Sequence, residues 1–227
     1  MEKKQSDLCL EILRRFQTIG LLGNVIIIGS WCAYFYRYYF EDTSYHPSLM
    51  TRDIDFLIPQ PAKLRTRVDL PEFLKDLGFV TVFKGTQGFI KLDHPELILE
   101  FLVPERGKGM DKPYPLPKLG VNATTLRFLS FLSDKTVKVK VEGLAVTLPH
   151  PANFGLHKLI ISQRRVREDK ATKDRRAALD VLKMLIARGR ESEIFNLFKS
   201  IPRSWQNKIV SCLKDLGDKE VLEVLTK

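Results

Sequence analysis

The chain has 227 residues, 44% of them hydrophobic and 28% charged, the balance of a soluble globular protein with room for one large domain or two small ones. No apolar run approaches the roughly 20 residues that span a bilayer. No signal-like apolar region follows the charged start Met1-Glu2-Lys3-Lys4, and Cys9, Cys32 and Cys212 lack metal-ligand spacing, so the expectation is a cytoplasmic protein with buried or free thiols and no membrane partner.

In chain order, Leu8, Ile12 and Phe16 recur four apart and predict an amphipathic helix over 6–20. Val25-Ile26-Ile27-Ile28 reads as a strand buried on both faces, ended by Gly29-Ser30. Trp31 to Phe40 reads as a helix with a dense aromatic face that belongs in the core, and Glu41 to Thr51, with His46-Pro47, as a loop. Arg52 to Pro59 is a second strand. Residues 69–78 predict a short helix capped by Asp69, with Pro71 in its first turn and Gly78 at its exit. Strands follow at Phe79 to Phe83, Gly88 to Leu92 and Glu96 to Val103. Pro104 to Leu119 is expected to be a mobile loop, whose Arg106-Gly107-Lys108-Gly109 reads first as a disordered basic stretch and alternatively as cations for RNA or phosphate. Thr136 to Val141 and Leu144 to Leu148 predict a hairpin around Glu142-Gly143, and from Pro151 the pattern is helical to the end. A β-rich part, 1–150, and a helical part, 151–227, are therefore expected as two domains.

The net charge of +10 is uneven: residues 151–190 carry eleven Lys and Arg against four Asp and Glu. A clustered positive field attracts the phosphates of nucleotides or nucleic acids, and the same pattern also suits a solvated helix face.

The chemistry resides in three short pieces: Ile28-Gly29-Ser30, Arg52-Asp53-Ile54-Asp55-Phe56 and Leu99-Glu100-Phe101. Side chains two apart on a strand share a face, so Asp53 and Asp55 project together while Ile54 and Phe56 point inward. Glu100 interrupts an apolar strand, and if that strand lies beside the first, three carboxylates converge. Two carboxylates about 4 Å apart repel by roughly 4 kcal/mol at an effective dielectric of 20, which a cation relieves. Hard oxygens of this kind suit Mg²⁺ or Mn²⁺. Either acidic piece alone also suits a strand edge or an exposed face; the ordered set is what points to a site. Gly29 allows close backbone approach, Ser30 offers a hydroxyl, and the helix start that follows favours an anion. Neither a Walker nor a dinucleotide-binding glycine pattern is present.

These pieces resemble the signature of the DNA polymerase β-like nucleotidyltransferase superfamily: an apolar residue with Gly-Ser, then Asp-x-Asp, then a later acidic strand. Thr51–Leu57, Pro151–Leu159 and Lys170–Arg175 further resemble the prokaryotic nucleotidyltransferase-fold proteins related to the AbiEii toxin class. The likeness covers about residues 20–190. It departs from the pattern in the 22 residues between Ser30 and Asp53 and in Glu, not Asp, as third acid. The resemblance implies an α+β fold, a mixed sheet with flanking helices and a helical C-terminal lobe. It implies transfer of a nucleoside monophosphate from an NTP to an acceptor hydroxyl such as that of tRNA. Asp53, Asp55 and Glu100 would be the catalytic and metal-binding residues, with Mg²⁺ or Mn²⁺ as cofactor. Gly29, Ser30, Arg52, Lys158, Lys170, Lys173 and Asp174 would bind the nucleotide. The rival expectations are a catalytically silent nucleotide- or RNA-binding module and a toxin-type component held by an antitoxin-like protein. Asp174 lies on an apolar helix stripe and calls for a cation, for which Lys158 is the candidate, either as a buried structural pair or as part of a phosphate site. His157 reads as a packing residue.

Overall fold

The computed structural model describes residues 2–42, 51–105 and 112–226. Among these, His46-Pro47 and Arg106-Gly107-Lys108-Gly109 are not included, so the readings placed on them lie outside the described residues. The chain divides into two compact units, Met1–Pro149 and His150–Lys227.

The first unit is α+β, as the resemblance implied. Helix α1 (Glu2–Thr18) starts four residues earlier than the apolar spacing suggested, and β1 (Ile26–Ile28) is the buried strand. Helix α2 (Gly29–Phe40) begins at Gly29 itself, with β1 running directly into it. Strands β2 (Asp53–Leu57), β3 (Val80–Lys84), β4 (Phe89–Asp93) and β5 (Ile98–Pro104) follow, with the short helix α3 (Leu70–Phe73) before β3. Asp69 caps α3 by accepting from the Glu72 amide, and Gly78 leaves the following 3-10 turn at φ 90°. The sheet order is β1-β2-β5-β4-β3. Its centre is the parallel pair β2–β5, while β1 joins antiparallel to β2 and β4 antiparallel to β5.

Two strands and a helix escaped the sequence reading. Inside the expected Pro104 to Leu119 loop, β6 (Tyr114–Leu116) is paired with β7 (Val121–Leu126), and Pro117–Leu119 form a 3-10 turn. Strand β7 also runs parallel to β5 at Leu102–Pro104. A Pro-rich stretch reads as a loop because Pro removes a ladder donor, yet three residues at a sheet edge tolerate one. Helix α4 (Leu129–Ser133) follows.

The two sheet faces divide the labour. On one, Phe56 stacks on Phe101 at 5.7 Å between ring centroids and Phe16 of α1 packs on Phe56 at 5.1 Å. On the other, Ile26, Ile28, Leu57 and Leu102 are buried with Leu129 and Leu132 of α4. The hairpin of β8 (Thr136–Val141) and β9 (Leu144–Pro149) turns at Glu142 (φ 47°) and Gly143 (φ 82°), and β9 packs against β1. Trp31, Phe35 and Tyr36 are buried, whereas Tyr34, Tyr38 and Tyr39 of the aromatic face expected in the core are only half-buried.

The second unit is helical: α5 (Pro151–Ser162), α6 (Glu168–Ala187), α7 (Glu191–Ser200), α8 (Arg203–Leu216) and α9 (Lys219–Thr226). Helices α5 and α6 form its tightest pair, because Gly155 lets them close: a Cβ there would sit 2.6 Å from Leu182 Cγ. No helix among the described residues is long and apolar enough to cross a membrane, and the three cysteines are unbridged and buried.

Candidate active site

Strand pairing assembles the acids. In the β2–β5 ladder Asp55 stands opposite Glu100 and Asp53 opposite Ile98, and in the β1–β2 ladder Ile28 stands opposite Asp55. Because alternate residues share a face, Asp53, Asp55 and Glu100 all lie on the α4 side of the sheet. Ile54 and Phe56 are fully buried on the other side. Leu57 and Leu102 of the same rows are covered by α4, while the three acids continue beyond them and remain partly exposed.

Gly29 is fitted to this arrangement. Its φ is 71°, a conformation that side-chain-bearing residues rarely adopt, and a Cβ there would collide with Asp55 Oδ2. The Gly29 backbone therefore lies against the Asp55 carboxylate. Ser30 Oγ shares a hydrogen bond with Thr51 Oγ1 at 2.7 Å, Thr51 Oγ1 donates to the Asp53 carbonyl at 3.3 Å, and Trp31 Nε1 donates to the Thr51 carbonyl at 3.0 Å. The start of α2 is thus stitched to the entry of β2. Thr51 had no assigned role in the sequence reading; the signal for it was its place at the head of the Thr51–Leu57 stretch that carries the resemblance.

Arg52, proposed for nucleotide binding, donates to Asp93 Oδ1 at 2.9 Å and to the His94 carbonyl at 2.6 Å. It is engaged with the β4–β5 turn.

The residue that sequence reasoning missed is Lys91. It lies on β4, where the β4–β5 register carries it opposite Glu100, and its ammonium forms an ion pair with Glu100 Oε1. Both side chains are largely sheltered, at 16% and 21% exposure. Asp53 and Asp55 also lie within electrostatic reach of that ammonium. Burial and the neighbouring Lys84 hold the Lys91 pKa below the usual lysine value against the pull of the two aspartates. Lys91 was hidden because one lysine in an alternating strand looks like an ordinary solvent-facing residue.

The donor chemistry of Asp53 and Asp55 fits a hard divalent cation: two carboxylates side by side on one face, with the glycine backbone close by. Among the described residues, however, no three His, Cys, Asp or Glu side chains are gathered into a ready metal cage. Glu100 is turned to Lys91.

The remaining candidates lie in the second unit. Lys158 Nζ pairs with Asp174 Oδ1 at 2.5 Å, the partnership expected from the sequence, and Arg165 Nε adds a second cation at 2.7 Å from Oδ2. Burial would raise the Asp174 pKa, but Lys158 and Arg165 outweigh it and hold the carboxyl below its usual range. Lys170 and Lys173 are exposed on α6. His157 is fully enclosed, and burial pushes its pKa down to about 3, in keeping with a packing role.

A nucleotidyltransferase family profile matches residues 8–200, most of the chain and both its units. The chain belongs to the nucleotidyltransferase family. No curated protein matches it significantly. A solved antigenic nucleotidyltransferase-like protein from Paracoccidioides brasiliensis shares the fold at TM-score 0.52 and 14% identity, covering 99% of this chain and 93% of that one. The antibiotic-resistance factor ANT(2'')-Ia aligns at TM-score 0.44 and 14% identity over 86% of this chain and 96% of its own. The nucleotidyltransferase membership thus rests on sequence, and the mixed-sheet fold agrees with it.

Proposed function

We propose that this nucleotidyltransferase moves a nucleoside monophosphate from an NTP to an acceptor hydroxyl, releasing pyrophosphate, at the face formed by Asp53, Asp55 and Glu100. The observation that carries the reading is the β2–β5 register, which sets Glu100 opposite Asp55 on the face shared with Asp53, with Gly29 moulded to the Asp55 carboxylate.

Asp53 and Asp55 would hold Mg²⁺ or Mn²⁺, and Glu100 would complete the set. When bound, the cation neutralises the polyphosphate and stabilises charge on the reacting oxygens. The chain's own residues then have separable tasks. Gly29 and Ser30 would seat the phosphates at the start of α2, where the unpaired amides of a helix start favour an anion. Glu100, once released from Lys91, would receive the acceptor proton. The excess of cations in residues 151–190, including the exposed Lys170 and Lys173, supports an RNA acceptor such as tRNA. Lys158 and Asp174 fit better as a structural pair, since Asp174 already holds two cations.

The test is label transfer from α-³²P NTPs, with Mg²⁺ or Mn²⁺, onto total RNA. Asp53→Asn with Asp55→Asn should reduce transfer more than about 100-fold, beyond the loss typical of outer-shell metal partners. Unchanged transfer removes the catalytic assignment.

One observation favours a second reading. Glu100 is held by Lys91, so a catalytically silent nucleotide-binding module is the alternative. Nucleotide binding indifferent to Mg²⁺, with no pyrophosphate released against any acceptor, would establish it. An antitoxin-like partner has no ground beyond the likeness of Pro151–Leu159 and Lys170–Arg175 to AbiEii-class toxins, and a pull-down from a native host tests it.

A further inference from the structure

Lys91 is a cation placed where the proposed function needs room for another. We propose that Lys91 is the resident counter-ion of Glu100, competes with the divalent cation for that carboxylate, and so keeps metal binding weak until a polyphosphate draws the ammonium away. The inference rests on the metal-dependent reading of the Asp53–Asp55–Glu100 face and adds a residue to it.

Three observations carry it. The pairing is built into the sheet: β4 and β5 are in register at Leu92–Leu99 and Asp93–Ile98, and one step further Lys91 faces Glu100. A slack surface lysine would not be so positioned. Lys91 is sheltered and paired with Glu100 while two other acids, Asp53 and Asp55, act on it from β2. It therefore already supplies part of the neutralisation that a divalent cation would bring. Finally, Lys84 approaches Lys91 from the adjacent strand β3, partnered at Val82–Lys91 in the β3–β4 ladder. Two neighbouring ammoniums repel, and an incoming anion relieves that repulsion. The charged groups around Lys91 thus come from β2, β3 and β5, and they favour a shift of its ammonium from carboxylate to phosphate when phosphate is offered.

The trade costs no net pairing. Glu100 exchanges an ammonium for a metal ion, and Lys91 exchanges a carboxylate for a phosphate oxygen. Metal and nucleotide become mutually dependent, because neither exchange is favourable until both partners are present.

Mn²⁺ binding to the full-length protein, read by electron paramagnetic resonance of the free ion, tests this without turnover. Lys91→Met should bind Mn²⁺ at least about tenfold more tightly than the parent, the effect of deleting a cation within 4–6 Å of a binding carboxylate. Lys91→Arg keeps the charge and should bind no more tightly than the parent. Lys91→Gln serves as the neutral variant should Lys91→Met not fold, judged by circular dichroism. Asp53→Asn should weaken Mn²⁺ binding in both parent and Lys91→Met backgrounds.

Equal affinity in parent and neutral variants, still sensitive to Asp53→Asn, overturns the role of Lys91 and leaves the metal site standing. Tightening by Lys91→Arg as large as by Lys91→Met also overturns it, since charge would not be the cause. Mn²⁺ binding that ignores Asp53→Asn, or absent from every variant at millimolar ion, overturns the metal site itself and the inference with it.

Discussion

At the scale of single residues, the most constrained position is Gly29. Two independent reasons forbid a side chain there: a φ of 71° and the Asp55 carboxylate occupying the Cβ position. Gly20 and Gly143 share the positive φ but have open space around them, so strain is their only constraint. Gly29→Ala must displace Asp55 or unwind the start of α2. The expected outcome is a loss of roughly 1–3 kcal/mol in unfolding free energy, the cost of a residue held in a sparsely populated backbone region. Nucleotide binding should weaken with it. Gly20→Ala is the control, since it shares the backbone cost and touches nothing near the acids. Chemical denaturation of both variants decides it: equal losses, with nucleotide binding intact in Gly29→Ala, would remove Gly29 from the site.

Single elements explain why part of the molecule was legible in the sequence and part was not. The acids of β2 and β5 could be found because charge breaks an apolar strand pattern, and strand periodicity then says which face they share. Lys91 broke no pattern, and its importance arises only from the strand next door. Likewise β6 was missed because the prolines in and around it read as loop, and β7 because its parallel partner β5 lies earlier in the chain, while the Glu142-Gly143 hairpin announces itself through its turn residues. Helix α5 shows the same limit. His157 is enclosed there, and nothing in its own spacing reveals how completely. That enclosure has a measurable consequence. Burial, aided by Lys158, holds the folded-state pKa at about 3 against an ordinary 6.5. Below pH 6.5 the unfolded chain gains a proton that the folded chain refuses, so stability falls with decreasing pH down to about 3 and is level above 6.5 as far as this group acts. Asp174 responds at lower pH, since its folded pKa lies below 3.8. Urea unfolding at pH 7 and pH 5 should therefore show a drop in the parent that is smaller in His157→Phe. An identical drop in both would mean that His157 is protonated in the folded state.

At the scale of the whole molecule, charge is the property that sequence alone reports faithfully, because a sum over residues needs no fold. The +10 excess is concentrated in the helical unit, and much of it is not consumed locally. Lys158 and Arg165 are committed to Asp174, and Arg175 to Glu168, whereas Lys170 and Lys173 point to solvent from α6. Committed cations set the stability of the unit, and exposed ones set its affinity for polyanions. The two roles separate in a salt titration. Each phosphate contact made to a single strand adds about 0.7 to the slope of log affinity against log salt. If Lys170 and Lys173 each meet one phosphate of an RNA acceptor, Lys170→Ala with Lys173→Ala should lower that slope by about 1.4 while leaving the unfolding midpoint nearly unchanged. Lys158→Ala should do the reverse, lowering stability by about 3–5 kcal/mol if Asp174 is left under-compensated, with little change in slope. A slope unmoved by the double variant would mean that RNA does not engage this part of α6, and the acceptor would then be sought among small hydroxyl compounds.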